Sequence, residues 1–124
     1  MPVELNHTII WSDDPKASAV FMAEILGRPA PQKFMHFEVV PMDNGVSMDF
    51  GQGEGKIATQ HYAFLVSDAE FDEIFGRIRA RGLDYWADPA RTKPGEINTF
   101  FGGRGVYFRD PTGHLLEIIT RPYA

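Results

Sequence analysis

No cysteine occurs anywhere in the 124 residues. Disulfides, thiolate metal sites and a cysteine nucleophile are therefore excluded. Basic residues are also short: 12 Lys and Arg stand against 17 Asp and Glu, for a net charge of −5 and a pI near 5.3. With no basic cluster, the composition argues against a nucleic-acid-binding surface. No apolar run approaches the ~20 residues of a membrane span. The opening MPVELNHT lacks the basic region and apolar run of a secretory signal. The expectation is a soluble cytoplasmic protein with neither a nucleic-acid nor a membrane partner. What is present is 44% apolar residues, with Gly 12 and Pro 9. That suffices for one domain with a sizeable core and many turns.

The stretch Gly105 to Thr120, GVYFRDPTGHLLEIIT, reads as strand, tight turn, strand. Val106 and Phe108 alternate with Tyr107 and Arg109, the period-two pattern of a half-buried strand. In Asp110-Pro111-Thr112-Gly113, Pro111 presets φ, Gly113 can take φ > 0 and Asp110 can bond its own backbone. His114 follows the turn and is expected to be exposed. Glu117 then interrupts Leu115, Leu116, Ile118 and Ile119. A buried carboxylate without a partner costs several kcal/mol, so it calls for a metal or a cation such as Arg109 or Arg104.

Two further strands repeat the anomaly. Val3, Leu5, His7, Ile9 and Trp11 share one face of the first, and Ile57, His61, Ala63 and Leu65 share one face of another. Two imidazoles and one carboxylate can hold a divalent metal and leave other positions open. The set suits Fe(II) especially, and Mn, Ni, Co and Zn also fit. The plain alternative is that each histidine is a core residue with a satisfied hydrogen bond.

Between these strands, Lys16 to Leu26 carries an apolar stripe at helical spacing, with Asp13 or Asp14 as cap, Pro15 in the first turn and Gly27 as stop. Phe34 to Val40 reads as one strand containing His36, and Val46 to Phe50 as another, with Ser47 and Asp49 opposite Val46, Met48 and Phe50. Gly51 to Lys56 is a glycine-rich connector. Ser67 or Asp68 caps a second helix with Phe71, Ile74, Phe75 and Ile78 as its stripe, ended by Gly82. Leu83 to Trp86 is a short strand, and Asp88 to Thr99 a mobile loop.

The halves match. His7 and His61 lie 54 residues apart; each is followed at +7 by Asp14 or Asp68, and at +14 by Phe21 or Phe75. Each half ends in a strand with an internal carboxylate, Asp49 or Glu117. The implied order is strand-helix-strand-strand-strand, twice, in a single domain with modules at about 1–52 and 56–124.

NHTIIWSDD, QHYAFLVSD and GVYFRDPTGHLLEI together resemble the vicinal oxygen chelate superfamily: glyoxalase I, fosfomycin-resistance transferases, extradiol dioxygenases and bleomycin-resistance proteins. The resemblance implies an α+β fold of two βαβββ modules, forming a curved mixed sheet or partial barrel around a metal cavity with helices outside. It implies His7, His61 and Glu117 as metal ligands. It puts Asp49 at the place of glyoxalase I's further carboxylate, and Tyr107 at the spacing of a dioxygenase tyrosine, ten before Glu117. Tyr107, His36 and Asp49 are the candidate proton-handling residues; a cavity-wall role for Tyr107, a solvated Asp49 and an ordinary sheet role for His36 are the alternatives. The expected function is a divalent-metal-dependent enzyme that chelates neighbouring oxygens of a small-molecule substrate, as lyase, isomerase, transferase or oxygenase. The alternative is a metal-free drug-binding protein. The resemblance also implies a homodimer.

Overall fold

Each half of the computed structural model, which describes residues 2–123, forms its own four-stranded mixed sheet with one α-helix. The first contains β1 (His7–Ser12), α1 (Pro15–Leu26), β2 (Gln32–Phe34), β3 (Phe37–Pro41) and β4 (Ser47–Gln52), with strand order β1-β4-β3-β2. The second contains β5 (His61–Leu65), α2 (Asp68–Ala80), β6 (Tyr85–Trp86), β7 (Gly105–Arg109) and β8 (Leu115–Ile119), in the order β5-β8-β7-β6. In both, the first strand pairs parallel with the last and every other pairing is antiparallel. One compact unit ends at Ala58 and the other starts at Thr59. The strands form two sheets rather than a closed barrel.

The helices begin and end where local chemistry dictates. Asp14 caps α1 by accepting from the Ala17 N–H at 3.1 Å, and Gly27 closes it at φ 71°, a conformation only glycine adopts without strain. Ser67 and Glu70 exchange reciprocal hydrogen bonds at the start of α2, a complete capping box.

Helix α1 packs on one face of the first sheet, and this decides burial there. In the first unit Ile10, Met48, Phe50 and Val40 pack with Phe21, Met22 and Ile25 of α1. In the second, Phe71, Ile74 and Ile78 of α2 are buried, as are Val106, Phe108, Leu116 and Ile118 of the sheet. The apolar faces expected to be buried around the histidines are instead the exposed ones: Ile9 and Trp11 on β1, Ala63 and Leu65 on β5. Val3, Leu5 and Ile57 precede the strands rather than belonging to them. The helix packs on the Ile10 face, so the neighbouring positions, by strand alternation, must point away.

Three further expectations change. Phe34 to Val40 is not one strand. It folds into a hairpin in which Phe34 pairs with Phe37 across a two-residue turn, Met35 taking φ 56° and His36 lying at the exposed tip. His114 is buried, because its ring turns inward: Nδ1 accepts from the Gln60 N–H at 3.0 Å, and Asp110 Oδ1 takes the His114 backbone N–H at 2.8 Å. The segment after β6 is tied down. Asp88 accepts from the N–H groups of Thr92 and Lys93, Trp86 bridges to Pro94, and Asn98 bridges to Gly105 while donating to the Ala87 carbonyl at 2.8 Å.

The core placement predicts an asymmetry between two phenylalanines. Phe108→Ala should lower stability by about 3–5 kcal/mol, the usual cost of emptying a buried aromatic site. Phe100→Ala, at a half-exposed position, should stay within about 1 kcal/mol. Urea denaturation followed by tryptophan fluorescence separates the two.

Candidate metal centre

The second sheet assembles its site from strand register. His61 is paired with Leu115, Ala63 with Glu117, and Tyr107 with Glu117 across the β7–β8 ladder. By alternation His61, Glu117 and Tyr107 project from one face. Glu117 is fully buried although half of the His61 side chain is exposed.

The hydrogen bonds fix the state of the imidazole. His61 Nδ1 lies 3.0 Å from the Leu115 carbonyl, which can only accept, so Nδ1 carries the proton and donates. In the neutral ring Nε2 is then a lone pair, and it faces Glu117 Oε1 at 3.1 Å. Two acceptors at that distance repel unless a proton, carried by the ring or by the carboxyl group, or a metal lies between them. Two ligands about 2.1 Å from one ion at right angles stand about 3 Å apart. Orientation of a histidine through a backbone carbonyl is also the usual outer support of a metal ligand. Neither arginine considered as a partner for Glu117 supplies the charge. Arg104 pairs with Asp72 at 2.7 Å and Asp68 at 3.2 Å, and Arg109 stacks over Trp86. With the ring neutral, Nε2 and Oε1 offer one nitrogen and one oxygen at a separation that fits a divalent metal.

The other carboxylate oxygen, Oε2, accepts from the Tyr123 hydroxyl. Tyr107 and Tyr123 share a further hydrogen bond, O to O 3.2 Å, and the Tyr107 ring stacks on His61 with centroids 5.9 Å apart. Nothing in the sequence singles out Tyr123; an isolated tyrosine in a short polar segment carries no pattern that marks it. Burial first, and then hydrogen bonds to its two neighbours, push the Tyr107 phenol well above its ordinary value. Tyr123 is raised by burial and by its bond to Glu117. Both stay protonated and act as donors.

The first unit repeats the frame. His7 is paired with Ser47 and Ile9 with Asp49, so Asp49 stands where Glu117 stands relative to its own histidine, two residues beyond the register partner. Asn6 Oδ1 lies 2.8 Å from His7 Nδ1, which again leaves Nε2 as the lone-pair nitrogen. Asp49 is half-buried and accepts from the Ser47 hydroxyl at 2.8 Å. His36, at its hairpin tip, packs on Phe37 with centroids 4.4 Å apart. Thus the structure brings together His61, Glu117 and Tyr107, and places His7 with Asp49 on the other unit. Among the described residues, no three His, Asp or Glu side chains converge within one chain. No helix among them is long and apolar enough to cross a membrane.

A twofold βαβββ repeat, with a histidine on each first strand and a carboxylate on each last strand, is the frame of this chain. The chain belongs to the Glyoxalase/Bleomycin resistance protein/Dioxygenase superfamily, whose family model matches residues 4–118. Among solved structures it is 64% identical to oxidase ChaP-H1, covering 99% of both chains with a TM-score of 0.98. Among curated relatives it is 33% identical over 72 residues to metallothiol transferase FosB of Shouchella clausii (strain KSM-K16), a match covering 58% of this chain and 45% of that one. The chain thus spans under half the length of that transferase. It also shares its fold with a mutant of the fosfomycin resistance protein FosX from Listeria monocytogenes, solved with Mn(II) and 1S,2S-dihydroxypropylphosphonic acid. That likeness has TM-score 0.70 and 20% identity, and covers 98% of this chain and 95% of that one.

The phenol cluster has a measurable signature. Tyr62 joins Tyr107 and Tyr123 in holding its proton above the ordinary value of 10.0, in its case through burial and the nearby Asp110 charge. The unfolded chain releases these protons first, so the stabilisation is complete below pH ~10 and is lost as pH rises through the folded values. Absorbance at 295 nm should show these three phenols ionising late, and Tyr107→Phe should remove the latest component.

Proposed function

We propose that this protein is a divalent-metal-dependent oxidase acting on a small molecule that presents two neighbouring oxygens. The observation that carries this reading is the pair of acceptors, His61 Nε2 and buried Glu117 Oε1, which face each other at 3.1 Å. The high identity to a protein named an oxidase supports oxidation over the isomerase, lyase and transferase chemistries that the same donor set serves. His61 and Glu117 would hold the ion from one chain, and the His7 imidazole would come from the second copy of the homodimer, since no three such side chains converge among the described residues of one chain; two nitrogens and one oxygen are the combination favoured by Fe(II). When bound, the metal supplies Lewis acidity towards the substrate oxygens and a redox centre.

The chain's own residues supply the surroundings. The Leu115 carbonyl holds His61 in the tautomer that offers Nε2. Tyr107, stacked on the imidazole, forms one wall, and its hydroxyl proton is committed to the Tyr123 oxygen. Asp49, on the His7 face, is the carboxylate available to accept a proton in the first unit. His36 takes no part in this reading, since it sits at an exposed turn.

The homodimer belongs to the same reading. Ile9 and Trp11 are exposed on the His7 face of β1, and Trp11 is 49% accessible, an apolar surface that a second copy of the chain would cover.

Elemental analysis tests the centre. Wild-type protein should carry or take up one divalent ion per chain. His61→Ala should bind it more weakly by well over the ~10–100-fold that outer-shell changes cost. An oxygen electrode with the Fe(II)-loaded protein and aromatic ortho-diols should register oxygen consumption that Glu117→Gln abolishes. A protein that takes up no metal would overturn the oxidase reading in favour of a metal-free binding protein. Light scattering should give twice the chain mass for wild type and a shift towards the monomer for Trp11→Glu.

A further inference from the structure

Tyr123 is an unusual user of its hydroxyl. Its ring is nearly half exposed, yet its oxygen reaches a carboxylate with no solvent access at all. An exposed phenol needs no buried partner, so the contact serves Glu117 rather than the tyrosine.

Several features deliver the ring to that point. After β8 the chain bends at Thr120 and Arg121. The bend is pinned: the Thr120 N–H donates to the Arg104 carbonyl at 3.0 Å, and the Arg104 N–H donates to Thr120 Oγ1 at 2.8 Å. Gly103 lets the segment pass, for a Cβ there would meet Thr120 Oγ1 at 2.6 Å and Arg121 Cβ at 3.0 Å. Phe101 then packs on the Tyr123 ring, centroids 5.3 Å apart. Phe101 takes φ 58°, a left-handed conformation that costs a non-glycine residue about 1–3 kcal/mol. Phe101 is itself exposed, so core burial does not explain that conformation.

We propose that Tyr123 is the positioning residue of the centre. By donating to Oε2 it holds the Glu117 carboxylate with Oε1 turned towards His61. Tyr107, hydrogen-bonded to the Tyr123 oxygen, completes the relay from the sheet to the bend. Without the Tyr123 hydroxyl the carboxylate rotates, and the spacing between Oε1 and Nε2 is lost. The consequence for metal binding rests on the reading of His61 and Glu117 as ligands. The positioning itself does not.

Tyr123→Phe deletes one oxygen and keeps the ring on Phe101. Its metal-free melting temperature, measured beside the wild type, controls for folding. Two readouts then apply. In metal-free protein labelled with 15N-histidine, the His61 ring signals should move relative to wild type, because the carboxylate facing them has turned. In a chelator competition with Co2+, the variant should bind about 10–100-fold more weakly, the range for loss of a ligand's outer hydrogen bond. Its visible d–d bands should shift as well. Unmoved His61 signals would overturn the proposal, and so would unchanged Co2+ affinity in a protein that binds Co2+. If the wild type binds no Co2+, the metal reading fails separately, and the His61 signals alone decide whether Tyr123 positions Glu117.

Discussion

A carboxylate removed from water has to be answered by charge or by hydrogen bonds, and Glu117 is answered on both oxygens. The second unit is arranged to meet that demand. The β5–β8 pairing brings His61 alongside, the β7–β8 ladder brings Tyr107, and the bend after β8 returns Tyr123. None of these contacts is neutral to the others. The imidazole is oriented by a strand carbonyl, the carboxylate by a phenol, and that phenol by another. Such chains of hydrogen bonds strengthen one another in a dry environment and become costly when a single member is missing.

The parallel pairing of first and last strands is what makes a site possible from so short a motif. In the first unit the helix packs on β1, β3 and β4, and His7 lies on the strand face opposite Ile10; in the second, Glu117 and Tyr107 share a buried face. The two units use the same register, with histidine on the first strand and carboxylate two residues past its partner on the last. They differ in how the carboxylate is treated. Asp49 is short, half-buried and bonded to the neighbouring Ser47, whereas Glu117 is longer, dry and held by groups from other elements. One frame therefore supports two environments.

Much of this was legible from residue order. The repeat shows in the matched spacing of His7 and His61, and the helix limits in Asp13 or Asp14, in Gly27 and in Ser67 or Asp68, because caps are local chemistry; the structure uses Asp14 and the Ser67–Glu70 pair. Glu117 stood out because a charge amid Leu and Ile is rare. What could not be read depends on tertiary choice. The period-two pattern showed that His7, Ile9 and Trp11 share a face, but not that α1 would cover the other one. The Phe34–Phe37 turn has no glycine or asparagine to announce it, since Met35 takes the left-handed position. His114 looked like a turn residue, and is buried because the Gln60 N–H needs its ring nitrogen. Tyr123 was invisible because the bend that returns it depends on Gly103 and Thr120, outside any periodic pattern that includes it.

The strand order also places β1 and β5 at the ends of their sheets, with only one ladder side paired within each. Such strands are templates for unplanned association. Thr8-Ile9-Ile10-Trp11 is uncharged, β-branched or aromatic throughout, and belongs to the kind of segment that nucleates fibrillar stacking when a sheet opens. The chain brackets it with Glu4 on one side and Asp13, Asp14 and Pro15 on the other. These residues act as gatekeepers, repelling like copies and ending strand geometry. The residues that start α1 thus also keep a partly opened molecule from recruiting its neighbours.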